Sequence, residues 1–314
     1  MFGRKVDVTV FNVFGDGVKL VDSSQGKNSL VCKGRIERYS GTKQPSLKLS
    51  IFNLGSSLRG EIVVNNYKYI RVEYGYEDDG SAGSQIFEGK IVKIQFKRKD
   101  EITTETVLYA WENGDMFEYG FCSQSFEDGV NYYEIASAVA KNGKVNVTAD
   151  LSEKLKGYKA QGAVTYYGDK ATIFNDIANK TNSRLVIKGN TISIQPADAK
   201  TEVIILTQTR KSDKKVISSS GLVGYPTLTD DGLEFQCLIN SSMGIYSLVQ
   251  IDNSIISINQ DGIVPSVNLV GAQLDVDGLY RVIRMTIDFA NDSSDSLITA
   301  KAVSRLVYDD LKTE

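Results

Sequence analysis

Gly83, Gly89 and Lys90, in the stretch GSQIFEGKI, have the composition of a phosphate-binding loop, in which glycine amides and a lysine surround phosphate oxygens. Five residues rather than four separate the two glycines, and Ile91 stands where a Ser or Thr hydroxyl must reach magnesium. The stretch also precedes a strand, so it reads as a turn rather than a nucleotide site. Asp275, Asp277 and Gly278 begin like a calcium loop, but the third ligand and the closing Glu are not at the spacing of an EF-hand. This Asp-Gly pair reads as turn chemistry, as do Asp78-Asp79-Gly80, Glu127-Asp128-Gly129 and Asp230-Asp231-Gly232.

The chain of 314 residues contains no histidine, which removes Ser-His-Asp and Cys-His catalysis and the commonest metal ligand. A glycosidase needs only two carboxylates, yet nothing in the sequence identifies which pair would serve. Cys32, Cys122 and Cys237 are far apart, with no CxxC or zinc spacing, and are expected to be buried thiols. No cofactor and no metal is expected. The 36 basic and 39 acidic residues are spread along the chain, so there is no basic patch for stable nucleic-acid binding. No apolar run is long enough to span a bilayer, and the N-terminus lacks the apolar core of a secretory signal.

The elements that must position any site are mostly strands. Val6, Val8 and Val10 alternate with polar residues, as do Leu47, Leu49 and Ile51, and Ile70, Val72 and Tyr74. KIVKIQFKRKDEITTETVLYAW reads as a hairpin with Val92, Ile94 and Phe96 inward, followed by Val107, Tyr109 and Trp111. Helical spacing then appears in NYYEIASAVAKNGK, through Ile135, Ala138 and Val139, and in GDKATIFNDIANKTN, through Ile173, Phe174, Ile177 and Ala178. Asp169 is the expected N-cap of the second helix, and Gly189-Asn190 the turn of a tight hairpin after it. Strands resume from Thr201. The expected division is a β-rich domain over 1–125, a small α+β domain over 126–200 and a second β domain over 201–314. IVKIQF with ETVLYA resembles VIRMTIDF with SLITAKAV, which suggests an internal duplication of the outer domains.

SSSGLVGYPTLTDDG, Ser218 to Gly232, is a soft, glycine-bearing segment that carries Leu222, Val223, Tyr225, Pro226 and Leu228. Two readings stay open for these residues: an extended arm whose apolar anchors dock on a partner, or a compact loop tucked under its own domain.

Three groups of residues carry a family resemblance. IFNLGSSLRGEI (Ile51–Ile62) with VEYGYEDDGSAGSQIFEGKI (Val72–Ile91), then SSSGLVGYPTLTDDGLEFQCLIN (Ser218–Asn240), then GLYRVIRMTIDF (Gly278–Phe289) resemble, in order, segments of the baseplate hub proteins of contractile-tailed phages. Gly75 after Tyr74, and Ile287 to Phe289 in place of a polar turn, depart from the family pattern.

The resemblance implies a mainly β fold with two tube-protein-like antiparallel β-barrel domains flanking or enclosing a small α+β domain. It further implies a homotrimer that adapts a sixfold tail tube to a threefold central spike. Its partners would be the tube and spike proteins, the tape-measure protein and other baseplate proteins, with DNA only in transit and no stable membrane association. The implied location is the tail baseplate of the virion, after synthesis in the host cytoplasm. The alternatives are the hub part of a contractile secretion spike, a cell-wall glycosidase of the tail and a receptor-binding adhesin.

Overall fold

The computed structural model describes residues 4–64, 66–76, 83–197, 202–207, 221–229, 231–258, 274–292 and 296–305. Alternating apolar residues build the first strands, because successive side chains on a strand point to opposite faces. These are β1 (Arg4–Phe11), β2 (Gly17–Val21), β3 (Cys32–Tyr39), β4 (Ser46–Phe52), β5 (Tyr69–Tyr76), β6 (Ser84–Arg98) and β7 (Thr104–Trp111). Val6, Val8, Val10, Leu47, Leu49, Ile51, Ile70, Val72 and Tyr74 all face one core, as their spacing predicts. The expected inward set of the β6–β7 hairpin is altered. Phe96 is exposed, and β7 turns Leu108 and Ala110 to the core while Tyr109 and Trp111 are half-buried. Residues 107–111 are all apolar, so alternation could not choose between the two faces. Helix α1 (Ser56–Val64), which periodicity did not reveal, buries only Ile62.

The middle of the chain holds α2 (Gly114–Tyr119), β8 (Phe121–Phe126), α3 (Tyr132–Lys141), β9 (Thr148–Leu151), β10 (Val164–Asp169), α4 (Lys170–Lys180), β11 (Ser183–Lys188) and β12 (Thr191–Pro196). The Asp169 carboxylate accepts from the Thr172 amide at 2.8 Å and caps α4. Asn131 caps α3 in the same way, accepting from Glu134 N at 2.9 Å. β11 and β12 pair from Lys188–Thr191 outward around Gly189, whose φ of 59° suits the tight turn. Ile135, Ala136 and Val139 of α3 join Phe174, Ile177 and Ala178 of α4 and Leu185, Ile192 and Ile194 of the hairpin in a second core.

The last strands are β13 (Val203–Leu206), β14 (Leu222–Thr229), β15 (Gly232–Cys237), β16 (Leu248–Ile251), β17 (Ser257–Ile258), β18 (Leu279–Ala290) and β19 (Leu297–Ser304). They do not close on themselves. β18 pairs with β3 from Arg284–Tyr39 to Ala290–Lys33, so both ends of the chain join in one 14-stranded sheet. Its order is β17-β14-β15-β19-β18-β3-β4-β7-β6-β5-β1-β2, with β16 beside β18 and β13 beside β16.

The two β-barrels that the family resemblance implies are therefore absent among the described residues: the sheet stays open, with β17 and β2 at its ends. The physical reason lies in the β3–β18 seam. Phe289 packs over Gly34, where any Cβ would lie 2.1 Å from the ring's Cζ, and Arg35 makes a bidentate ion pair with Asp288 at 2.6 and 3.1 Å. Alternation foretells a half-buried sheet but carries no information about which strands meet at its ends.

The β6–β7 and β18–β19 hairpins do share a form. Each has a long first strand with one extra residue, Val92 in β6 and Ile283 in β18, where the ladder slips against the second strand.

Candidate assembly interface

β14 carries the residues singled out in the sequence, and a bulge decides where each one goes. Leu222 and Val223 pair with Cys237 and Gln236 of β15, and pairing resumes only at Thr227–Glu234. Gly224, at φ 71°, and Pro226, which has no amide hydrogen to donate, stand within this interruption. Leu222, Pro226 and Leu228 are consequently turned into their own chain, where Leu222 and Leu228 join the large core. Val223 is exposed, and Tyr225 is 70% exposed. The structure thus divides the five residues: three anchor the strand, and two are displayed. Ser218–Ser220 and Asp230 of the same stretch lie outside the described residues.

A second apolar display sits on the β1–β2 turn and was not singled out in the sequence. Asn12 Oδ1 accepts from the amides of Phe14 at 2.9 Å and Asp16 at 3.1 Å, and Asn12 N donates to Asp16 O at 2.9 Å. Gly15 closes the turn at φ 92°. The result is a fixed tip with Phe14 86% exposed. The signal was there in FNVFGDG: a turn rich in Asn, Asp and Gly that spends its apex on Val and Phe.

Beside that tip lies a cleft of about 420 Å³ between the large sheet and the α+β body, lined among others by Phe14, Tyr69, Glu88, Lys90 and Asn113. Its charges are already partnered. Glu88 pairs with Arg71 at 2.7 Å, and Lys90 with Asp115 at 2.8 Å and Glu118 at 2.5 Å. Tyr69 Oη donates to Asp115 at 2.7 Å. Burial, then the bond to Asp115, pushes the Tyr69 hydroxyl up to about 12. For Lys90, burial pulls the ammonium down, but the bonds to Asp115 and Glu118 outweigh it and hold its pKa above the ordinary value. The Asp115 carboxyl is lowered: burial opposes this, and the bonds from Lys90 and Tyr69 prevail.

The other candidates are structural. Gly89 and Lys90 belong to β6, with Lys90 held by acids rather than open to phosphate. Asp275 is buried, and its Oδ1 accepts from Asp277 N at 3.0 Å while its Oδ2 accepts from Ser304 Oγ at 3.0 Å. Gly278 at φ 67° completes an ordinary Asp-Gly turn. No group of three or more metal-ligating side chains occurs among the described residues. Cys32, Cys122 and Cys237 are buried free thiols, and burial pushes Cys32 and Cys237 up to about 12. Asp78-Asp79-Gly80 lies outside the described residues.

Comparison with protein families matches residues 17–268 to the family "Baseplate hub gp41". This chain belongs to the baseplate hub gp41 family. It is a structural protein of the phage tail, located in the virion baseplate, as the sequence resemblance implied. A comparison with curated proteins finds no match. Among solved structures, the 43 kDa tail protein of prophage MuSo2 from Shewanella oneidensis is similar at TM-score 0.58 and 11% identity, over 97% of this chain and 98% of that one. The tail protein from Neisseria meningitidis MC58 is similar at TM-score 0.55 and 10% identity, over 98% of each chain. A chain of the lidless PdpA–VgrG complex is similar at TM-score 0.51 and 8% identity, over 98% of this chain and 65% of that one. At such identities these likenesses establish a shared fold alone.

Proposed function

We propose that this hub protein acts as a homotrimer that joins the tail tube to the central spike and surrounds the channel through which the tape-measure protein and DNA pass. The observation that carries this reading is the family match across residues 17–268. The fold it shares with two tail proteins supports it. Symmetry matching needs no barrels. Each copy offers two hairpins of similar form, β6–β7 and β18–β19, so a threefold ring presents them in pairs toward a sixfold partner. Within each copy we propose a small α+β unit, residues 126–200, between the β-rich segments 1–125 and 201–314; the second core supports such a unit and also takes in Met116 and Cys122.

The function is geometric. Val223 and Tyr225, displayed on the β14 bulge while Leu222, Pro226 and Leu228 hold it to the chain, are proposed as a contact surface of the assembly. Native mass spectrometry of the full chain with the spike protein tests the reading. A complex holding three copies of this chain is expected; a complex with a single copy rejects the trimer.

The likeness to a chain of a PdpA–VgrG complex favours a second reading, in which the chain serves as the hub of a contractile secretion device. Detection of the chain in purified virions separates the two.

A further inference from the structure

The β6–β7 and β18–β19 hairpins correspond residue by residue, but only one of them is covered. Beyond the extra residue, Lys93–Tyr109 and Phe96–Thr106 on the first stand where Arg284–Lys301 and Ile287–Ile298 stand on the second. β4 lies beside β7 as β15 lies beside β19, and β3 and β14 follow outside them in turn. β3 covers β18 along Arg284–Ala290, where Ile287 faces Ile36 and both enter the large core. β6 has no strand on the equivalent edge beyond Lys90 among the described residues, because β5 pairs only with its first half. Phe96, in the place of buried Ile287, is consequently left 47% exposed. An open edge is a template for another strand, and an aromatic ring left in water gains by being covered.

The far end of the sheet carries the strand that fits. β14 holds the place of β3 in the second half of the sheet, with Leu228 standing as Ile36 does and Thr227 as Arg35 does. The register of the β3–β18 seam then sets Leu228 opposite Phe96 and Thr227 opposite Lys97, and brings Asp231 level with Lys93. The charges are complementary there. The Asp231 side chain is 81% exposed, and Lys93 and Lys97 are exposed with no ion pair among the described residues. β15, β19, β18, β3, β4 and β7 separate β14 from β6 in the sheet, so the strand that covers β6 comes from a second copy. β17 meets the same edge of β14 only through Ser257 and Ile258, in parallel, the weaker pairing, and gives way to an antiparallel strand.

We infer that copies of this chain join edge to edge, β14 of one copy covering the open edge of β6 in the next as β3 covers β18 within the chain, with Phe96 against Leu228. A contact between two different surfaces repeats until the ring closes or runs on as a filament. In a trimer, each copy supplies one such seam within itself and one with its neighbour, which gives a sixfold partner equivalent seams to meet. The inference rests on the homotrimer proposed above, and it names the edges that mate.

The test uses full-length chains under mild oxidation, alone and with the spike protein present, with native mass spectrometry on the same samples. The three native thiols are buried. Lys97→Cys chains are mixed with Thr227→Cys chains, which places the two thiols where Arg35 and Asp288 meet in the seam within the chain. The mixture is expected to give at least tenfold more disulfide-linked dimer than a control mixture of Lys93→Cys and Thr227→Cys, in which the thiol lies on the same face of β6 but out of register. Phe96→Asp, at an exposed position that leaves the fold intact, is expected to lower both the Lys97–Thr227 yield and the trimer population at least fivefold. Phe14→Asp, at an exposed aromatic away from the seam, is expected to change neither. A trimer that forms while the Lys97–Thr227 yield equals the control, or that is indifferent to Phe96→Asp, overturns this seam and leaves the trimer standing. Absence of any oligomer in both samples overturns both.

Discussion

Two joints hold this molecule together, and they are made differently. The seam between β3 and β18 joins the chain's two ends through a continuous ladder and one shared apolar core, with Phe289 seated over Gly34. The junction between the sheet and the α+β body is polar, made of Lys90 with Asp115 and Glu118, Tyr69 with Asp115, and the Asn113 amide on Gly189 O. The large apolar core and the α+β core share no residue. Hydrophobic burial makes the first joint cooperative, whereas ion pairs with partial solvent exposure contribute little net energy and mainly fix orientation. The β-rich ends should thus unfold as one, and the α+β body should respond to its own mutations.

The strongest way to break this contrast is Gly34→Val. The added side chain has no room beneath Phe289, so overpacking at the seam is expected to cost about 1–3 kcal/mol or more. Denaturant unfolding followed by hydrogen exchange should show protection lost in both β1–β7 and β14–β19. Loss confined to one end of the chain would mean that the seam does not couple them.

A smaller effect is expected from Asp169→Ala, which removes the α4 cap and should cost about 1 kcal/mol. Exchange should quicken in α3, α4 and the β11–β12 hairpin and remain unchanged in the large sheet. Equal loosening of both regions would make the molecule a single cooperative unit.

The smallest effect is a pH slope inside the α+β body. Lys170 is fully buried at the start of α4, and its Nζ donates to Ala140 O at 2.9 Å and Val145 O at 2.6 Å. Burial pulls its pKa below the ordinary lysine value. The unfolded chain therefore holds that proton to higher pH than the folded one, and stability rises with pH between the two values. The native protein is expected to gain stability relative to Lys170→Met as pH is raised from neutrality toward the lysine range. A difference that stays flat with pH would show that Lys170 carries no such penalty.

Local features were legible in the sequence because local chemistry makes them. Val6, Val8 and Val10, the Asp169 cap and the Gly189 turn each depend on a few adjacent residues. The open sheet was not legible, because Gly34 and Phe289 lie at opposite ends of the chain and only their pairing reveals why a glycine stands in β3. Helix α1 buries a single residue and so left no periodic trace. Of the candidate interface, the segment was visible as an apolar run in soft sequence, but the split between buried Leu222, Pro226 and Leu228 and displayed Val223 and Tyr225 follows from the bulge. The Asn113 cleft is assembled from several separate segments and had no contiguous signature.

We propose that copies of this chain build a ring around the tail axis. Electron cryomicroscopy of the intact tail tests it most directly. A threefold annulus of this chain between tube and spike is expected, each copy contributing one open sheet. Density for the chain as isolated copies on the tail periphery would contradict it.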